Sequence, residues 1–283
     1  MFPVCPAAFP RRTYVICAEP RSGSNLLAEA LRDTSVAGNP DEWYDLPFLH
    51  DRLSGFGLAA PTSTRAVPVP VSGREYLRAL LAETSADRYF GIKIHWHQYQ
   101  LAMLAGLGDL FETLTDLATG PLVILLIRKD RIQQAVSTYI AACTGRYFAR
   151  EGLPPAPRTQ LPRRYWRGLD CAGPELTDDP VPFDFAEIDA IVTQIEADER
   201  AWRDLIATRR LPACELSYEE LTSDRDSSLR RVFDFLGLAV REVPEPTFLR
   251  QATVLNDQFV AAYSREKREV RDPEAGKSGG ARS

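Results

Sequence analysis

One arginine, one glycine and three short polar side chains stand between an apolar run and a helical pattern in the stretch AEPRSGSNLL, residues 18–27. Tyr14, Val15, Ile16 and Cys17 precede it, and Leu26, Leu27, Ala30 and Leu31 follow at helical spacing. A strand that turns tightly into a helix leaves the first N–H groups of that helix without partners. Those groups and the helix dipole together suit an anion. Gly23 lets the backbone bend and approach a ligand closely. The N–H groups of Ser22, Gly23, Ser24, Asn25 and Leu26 are expected to point at the anion, and Arg21 adds a fixed charge. For so short a motif the alternative is a plain turn with a capping serine. No lysine follows the glycine, so this is not a Walker A loop. The absence of G-x-G-x-x-G counts against a dinucleotide site, and the absence of G-x-S-x-G against an esterase elbow.

Other residue types with chemistry recur along the chain. VAGNPDEWY, residues 36–44, brings Asp41 and Glu42 soon after the first helix. GIKIHWHQ, residues 91–98, puts Lys93, His95 and His97 on one side of a strand, because side chains alternate with period two. LLIRKDRIQQAVSTY, residues 125–139, sets Arg128 at a strand end and Ser137 two turns into the next helix. ELSYEEL, residues 215–221, carries Tyr218 at the end of another strand. His95 and His97 have no third ligand at a sensible spacing, so no metal is expected. His50 and His97 read as structural.

The elements that must position these residues follow from periodicity. Short β-rich runs cover residues 13–18, 89–95, 122–127 and 213–217. Helical patterns cover 185–208, with Asp184 and Glu187 as a capping box, 130–143, and 227–236 ending at Gly237. Strands separated by helices predict an α/β fold with a parallel central sheet flanked by helices. Ligands in such folds sit beyond the carboxyl ends of the strands. Residues 1–271 are expected to form a single domain. Residues 45–75, rich in Pro, Gly and Ser, and 151–183, rich in Pro and Arg, break the rhythm and read as lids, acceptor-binding elements or insertions, the first lid extending to residue 88. Residues 272–283, DPEAGKSGGARS, are expected to be disordered.

Composition narrows the class. A net charge of −5 argues against a general nucleic-acid-binding surface. Five cysteines, with no C-x-x-C, argue against a disulfide framework or zinc site. No apolar run reaches the ~18 residues of a membrane span, and no signal-peptide pattern opens the chain. A cytoplasmic protein is expected.

Taken in order, RSGSNLL, VAGNPDEWY, KIHWHQ, IRKDRIQQAVS, GRYF and RQATVLNDQFV resemble the PAPS-dependent sulfotransferases, and within them the bacterial trehalose 2-sulfotransferase group. PAPS is 3′-phosphoadenosine-5′-phosphosulfate. The resemblance runs from about Tyr14 to Tyr263. It implies a P-loop-like sulfotransferase fold, PAPS as donor, transfer of a sulfuryl group to an acceptor hydroxyl, and a homodimer. Asn25 stands where the family more often has Thr or Ser, and its amide can still donate to a phosphate oxygen. Residues 45–88 and 151–183 match poorly, which leaves the acceptor open. A disaccharide is what the resemblance implies, and a glycolipid or hydroxylated metabolite fits as well.

The resemblance also assigns roles. Arg21, Ser22, Gly23, Ser24, Asn25 and Leu26 would hold the 5′-phosphosulfate, with Lys93 assisting. Arg128 and Ser137 would grip the 3′-phosphate, since an arginine fork and a hydroxyl suit a phosphate monoester. Arg146 and Arg250 are further candidates there, Arg146 reading equally as a surface charge. Tyr218 would stack on adenine or serve as a core tyrosine. Glu42 corresponds to the family's catalytic carboxylate. His95 is its rival, because Lys93-x-His95 looks like the pattern of animal cytosolic sulfotransferases, where the histidine is the base. The closer match of VAGNPDEWY favours Glu42. Two rival functions are a kinase-like phosphotransferase, which would need the missing Walker lysine, and a nucleotide-binding protein without catalysis.

Overall fold

A computed structural model describes residues 12–58, 71–84, 89–144, 180–245 and 254–271. The chain divides into two compact units, Met1–Lys129 with Ala197–Pro246, and Asp130–Glu196 with Thr247–Ser283.

The first unit is built on four parallel strands, β1 (Arg12–Ala18), β2 (Tyr89–Ile94), β3 (Leu122–Ile127) and β4 (Ala213–Ser217), in the order β2-β1-β3-β4. β3 reads LVILLI, a continuous apolar run suited to a strand covered on both faces. Alternation sorts the side chains of β1. Val15 and Cys17 face one core, and Tyr14, Ile16 and Ala18 face the other.

The Val15 face is covered by α2 (Leu46–Gly55), α3 (Gly73–Thr84), α4 (Trp96–Leu104) and α5 (Leu110–Leu117), with Trp202. The Tyr14 face is covered by α1 (Ser24–Asp33), and by α8 (Tyr218–Ser223) and α9 (Arg225–Leu236), which follow β4. Each face buries a run of leucines, and a fully buried leucine contributes roughly 1.5–3 kcal/mol, so both cores hold the sheet firmly. This is the expected parallel sheet flanked by helices.

In the second unit α6 (Arg131–Thr144), the first half of α7 (Phe185–Arg209) and α10 (Val254–Arg271) share a core of Ala135, Val136, Tyr139, Ile188, Ile191, Ile195, Phe259 and Tyr263. α7 starts where Asp184 Oδ1 accepts the Glu187 N–H at 3.0 Å, the expected cap.

Residues 45–88, read from sequence as a lid, an acceptor-binding element or an insertion, include α2 and α3 among the described residues. Leu49 and Leu53 of α2 and Tyr76, Leu77, Leu80 and Leu81 of α3 are buried against the sheet. Residues 151–179 and the expected tail at 272–283 lie outside the described residues. Among the described residues, no helix is long and apolar enough to cross a membrane.

Candidate functional site

β1 ends at Ala18, and five residues carry the chain from it into α1. Arg21 (φ 62°) and Gly23 (φ 88°) both take the left-handed conformation, which curls the backbone at the carboxyl end of a central strand. The first helical bond runs from Leu27 N–H to Gly23 O at 3.2 Å, and no side chain caps α1. The N–H groups of Ser24, Asn25 and Leu26 therefore lie ahead of that first bond. Ser22 departs from expectation. Its N–H turns inward to Glu19 O at 3.2 Å, because the tight turn closes on itself. Its Oγ is buried without a partner among the described residues.

The glycine has a second reason. A Cβ at residue 23 would lie 2.6 Å from Tyr218 Cδ2. The Tyr218 ring sits under the Arg128 guanidinium at 4.6 Å, and Arg128 Nη1 donates to Arg21 O at 3.2 Å. Tyr218 thus wedges between the loop and Arg128, a contact that neither sequence expectation contained.

On the other side of the loop stands a charge cluster. Lys93, on β2 and almost fully buried, donates to Asn25 Oδ1. It also pairs with Glu42 Oε1 at 2.7 Å. His95 Nε2 lies 3.5 Å from the same oxygen, and Gln98 Nε2 donates to Glu42 Oε2 at 2.7 Å. Burial opposes charge on Glu42, but Lys93 and then His95 outweigh it and hold the carboxyl well below its usual range. The loop and the acidic turn, 17 positions apart at Asn25 and Glu42, meet because β1 and β2 are neighbours.

His95 and His97 correct the strand reading. β2 stops at Ile94, since His95 opens α4 in a capping box with Gln98. Only Lys93 of the three is a strand residue. His95 Nδ1 lies 2.8 Å from the Ala18 carbonyl oxygen, which can only accept, so Nδ1 donates there while Nε2 faces Glu42. His97 stacks on His95 with centroids 5.8 Å apart, and burial followed by the charge of His95 pushes it down to about 3. It is neutral at ordinary pH.

Among the buried carboxyls that escaped the sequence reading are Glu19 and Asp45. Glu19 Oε1 accepts from Trp96 N–H and Trp202 Nε1, both at 3.1 Å, and ties the start of α4 to the end of β1. Burial, then Asp198, raises its carboxyl well above the usual range. Asp45 is only 6 % exposed. Burial, then the charge of Glu42, pushes it up to about 7. Its stability sign follows from linkage. A carboxyl that stays neutral in the fold but ionises near 3.8 in the unfolded chain costs stability as pH rises through that window. Asp45→Asn should therefore be more stable than the wild type at about pH 8, with a ceiling of about 4 kcal/mol. The gain should fade below about pH 4, as thermal melts at the two pH values would read.

Of the remaining expected residues, Ser137 lies on α6 of the second unit, and Arg146 and Arg250 lie outside the described residues. No group of three or more His, Cys, Asp or Glu side chains able to hold a metal occurs among the described residues.

The sequence model of the Stf0 sulphotransferase family matches residues 13–266. A trehalose 2-sulfotransferase of Mycolicibacterium smegmatis is 25% identical, the match covering 89% of this chain and 94% of that one. A trehalose 2-sulfotransferase of Mycobacterium tuberculosis is 26% identical, covering 90% and 95%. Among solved structures, a sulfotransferase from Alicyclobacillus acidocaldarius matches 93% of this chain and 96% of its own, at 13% identity and a TM-score of 0.46.

Proposed function

Since the chain belongs to the Stf0 sulphotransferase family, we propose that it moves a sulfuryl group from PAPS to a carbohydrate hydroxyl, with trehalose the first acceptor to test. The relatives named for trehalose support that choice. The observation that carries the reading is the position of Lys93, which joins Asn25 of the anion loop to Glu42. One ammonium group there lies between the place for the donor and the place for the acceptor.

In this reading the N–H groups of Ser24, Asn25 and Leu26, with Arg21, hold the 5′-phosphosulfate. Negative charge grows on the bridging phosphate oxygen as the S–O bond breaks. Donors already aimed at that oxygen need no reorganisation, and in many enzymes such preorganised donors account for most of the rate enhancement. Lys93 supplies the mobile charge, leaving Glu42 for the donor as the reaction proceeds. Ser22 Oγ, buried and without a protein partner among the described residues, is a further donor for an anion in the loop. Arg128, held at the loop by Tyr218 and Arg21 O, is assigned to the 3′-phosphate. Glu42, Lys93 and His95 form the group on the acceptor side. A homodimer is carried over from the family resemblance, and light scattering tests it.

The donor half is tested without an acceptor. Calorimetry should find 3′-phosphoadenosine 5′-phosphate bound about tenfold or more tighter than adenosine 5′-phosphate, since a charge-assisted hydrogen bond is worth ~1.5–3 kcal/mol. Arg128→Met should erase most of the difference. Equal affinity of the wild type for the two nucleotides would remove the 3′-phosphate site. Affinity that depends on Mg²⁺ would favour a phosphotransferase instead.

A further inference from the structure

The two oxygens of the Glu42 carboxylate are engaged unequally. Oε1 takes the Lys93 ammonium at 2.7 Å and faces His95 Nε2 at 3.5 Å. Oε2 receives Gln98 Nε2 at 2.7 Å and no other donor among the described residues. An ionised carboxylate offers about four lone-pair sites, roughly two on each oxygen. Those of Oε1 are addressed by Lys93 and His95, and Oε2 keeps one. Glu42 also keeps 24% of its side-chain surface where Lys93 keeps 3%, so of this pair Glu42 is the one an acceptor can reach.

Gln98 is as tightly constrained, being only 3% exposed with both ends of its amide in use. Its Oε1 accepts the His95 N–H at 3.0 Å, a bond of the capping box that starts α4, and its Nε2 donates to Glu42. These partners fix which way round the amide lies, because a backbone N–H can only donate and an ionised carboxylate can only accept. A flipped amide would set donor against donor at one end and acceptor against acceptor at the other. Glutamate and glutamine serve alike as the reaching residue of a capping box. Capping therefore does not demand an amide at position 98, and the bond to Glu42 does. The contacts close a ring, from His95 N–H to Gln98, from Gln98 to Glu42, and from Glu42 to His95 Nε2. The carboxylate is thereby tied to the first turn of α4, while Lys93 ties it to Asn25 of the anion loop.

We propose that Gln98 is a positioning residue that aims Glu42 Oε2 at the acceptor hydroxyl. The proposal rests on the sulfotransferase reading above, with Glu42 as the carboxylate that corresponds by resemblance to the catalytic one of the family. As the acceptor oxygen forms its new bond to sulfur, its proton passes to Oε2. The bond from sulfur to the donor's bridging oxygen breaks, and the electron pair leaves on 3′-phosphoadenosine 5′-phosphate. Atoms and charge balance without any further reactant. A neutral anchor suits this task. When Lys93 turns to the donor, Oε1 loses its strongest partner, and Gln98 still holds Oε2 in place. A misplacement of about 1 Å at a reacting group can cost ~10²-fold in rate. The charged groups around this carboxylate are Lys93 on β2, His95 at the start of α4 and Asp45 on the same turn, with Arg52 of α2 at the Glu42 carbonyl oxygen.

Gln98→Glu separates capping from positioning. Its carboxylate still accepts the His95 N–H, but it sets a like charge against Glu42, and the pair should then share a proton. Rates of sulfuryl transfer from PAPS to trehalose across roughly pH 5–9 read the effect. The wild type should show no acidic limb from Glu42 in that range, since Lys93 and His95 hold the carboxyl well below 4.5. In Gln98→Glu an acidic limb should enter the range, and kcat below that limb should fall ~10²-fold or more. Affinity for 3′-phosphoadenosine 5′-phosphate, read by calorimetry, should stay within about threefold, because Gln98 touches Glu42 and not the loop. Gln98→Met, similar in length but without donor or acceptor, should also lose ~10²-fold in kcat at nearly constant nucleotide affinity. It decides the matter if Gln98→Glu does not fold. Infrared difference titration of the nucleotide complex needs no acceptor, and decides where trehalose is not turned over. Gln98→Glu should show a carboxyl band titrating above 4.5 that is missing in Glu42→Gln/Gln98→Glu. A kcat near that of the wild type in either single variant, a fall matched by an equal loss of nucleotide affinity, or an infrared titration that does not depend on Glu42 overturns the assignment. A wild type that ignores both PAPS and its nucleotide product overturns the sulfotransferase reading, and the assignment falls with it.

Discussion

Lys93→Met should lower kcat by ~10²–10³, the loss seen when one preorganised donor to a developing charge is removed. Lys93 is 3% exposed and has two acceptors, Glu42 Oε1 and Asn25 Oδ1. Methionine keeps the apolar stem and removes the charge. In the proposed reaction the leaving phosphate oxygen then loses the Lys93 charge, while the N–H groups of the loop remain. Donor binding should weaken less than turnover, because in the proposed reaction the loop holds the ground state and Lys93 acts on charge that appears later. Loss of nucleotide affinity equal to the loss in kcat would show instead that Lys93 binds donor and transition state alike.

The same variant has a signature in stability. Removing one partner of a buried pair costs ~3–5 kcal/mol, and about half that is expected here because Glu42 keeps 24% of its side-chain surface. The pH dependence should weaken. In the wild type Glu42 is held below its usual value of 4.5, so the stability that the cluster contributes is full above that value. It is lost as pH falls through the lower value of the folded state. Without Lys93, burial is opposed by His95 alone among the charges, so the carboxyl moves upward from its wild-type position. The variant should then lose less stability than the wild type on acidification through the carboxylate range. Thermal melts over that range read the difference directly.

Much of this arrangement was legible in the sequence because it is local. β3 and β4 fall on the expected residues, and α7 differs by one residue at its end. A run such as LVILLI, or apolar residues spaced through 25 helical positions, is decided by periodicity alone. The candidate loop was legible for the same reason: a strand pattern meets a helix pattern across Arg21, Ser22 and Gly23.

What escaped was decided by partners far away in the chain. Strand alternation predicted one face for Lys93, His95 and His97, but the His95 ring turns to the Ala18 carbonyl oxygen, 77 positions away, and its N–H bonds to Gln98 Oε1 at 3.0 Å as a helix starts. Leu49, Leu53, Tyr76 and Leu77 were hidden in a segment whose Pro, Gly and Ser content signals loop. Nothing local to Glu19 reveals that Trp202, 183 positions on, donates to it. Nor does DEWYD reveal which of its carboxyls will meet Lys93 and which will be left without a partner. That distinction exists only once β2 lies beside β1 and the turn is pinned against both.

Gly23→Val should reduce affinity for 3′-phosphoadenosine 5′-phosphate by ~10²-fold or more, which needs about 3 kcal/mol. Three costs combine. At φ 88° an L-residue pays roughly 1–2 kcal/mol, and a β-branched one more. The new Cβ would stand 2.6 Å from Tyr218 Cδ2, so the ring must move. Tyr218 supports Arg128 at 4.6 Å, and Arg128 donates to Arg21 O, so the displacement reaches the other end of the loop. Gly23→Ala separates the causes, because it brings the clash and the backbone strain without branching. In Gly23→Ala/Tyr218→Ala the clash is gone, and the double variant should lose less affinity than the sum of the two singles. Residues in contact commonly couple by ~0.5–3 kcal/mol, which calorimetry resolves. If the ring contact is immaterial, the two losses will add. If Gly23→Val folds with a wild-type melt and binds the nucleotide as tightly as the wild type, residues 21–26 form a turn and not an anion site. The donor would then have to bind elsewhere.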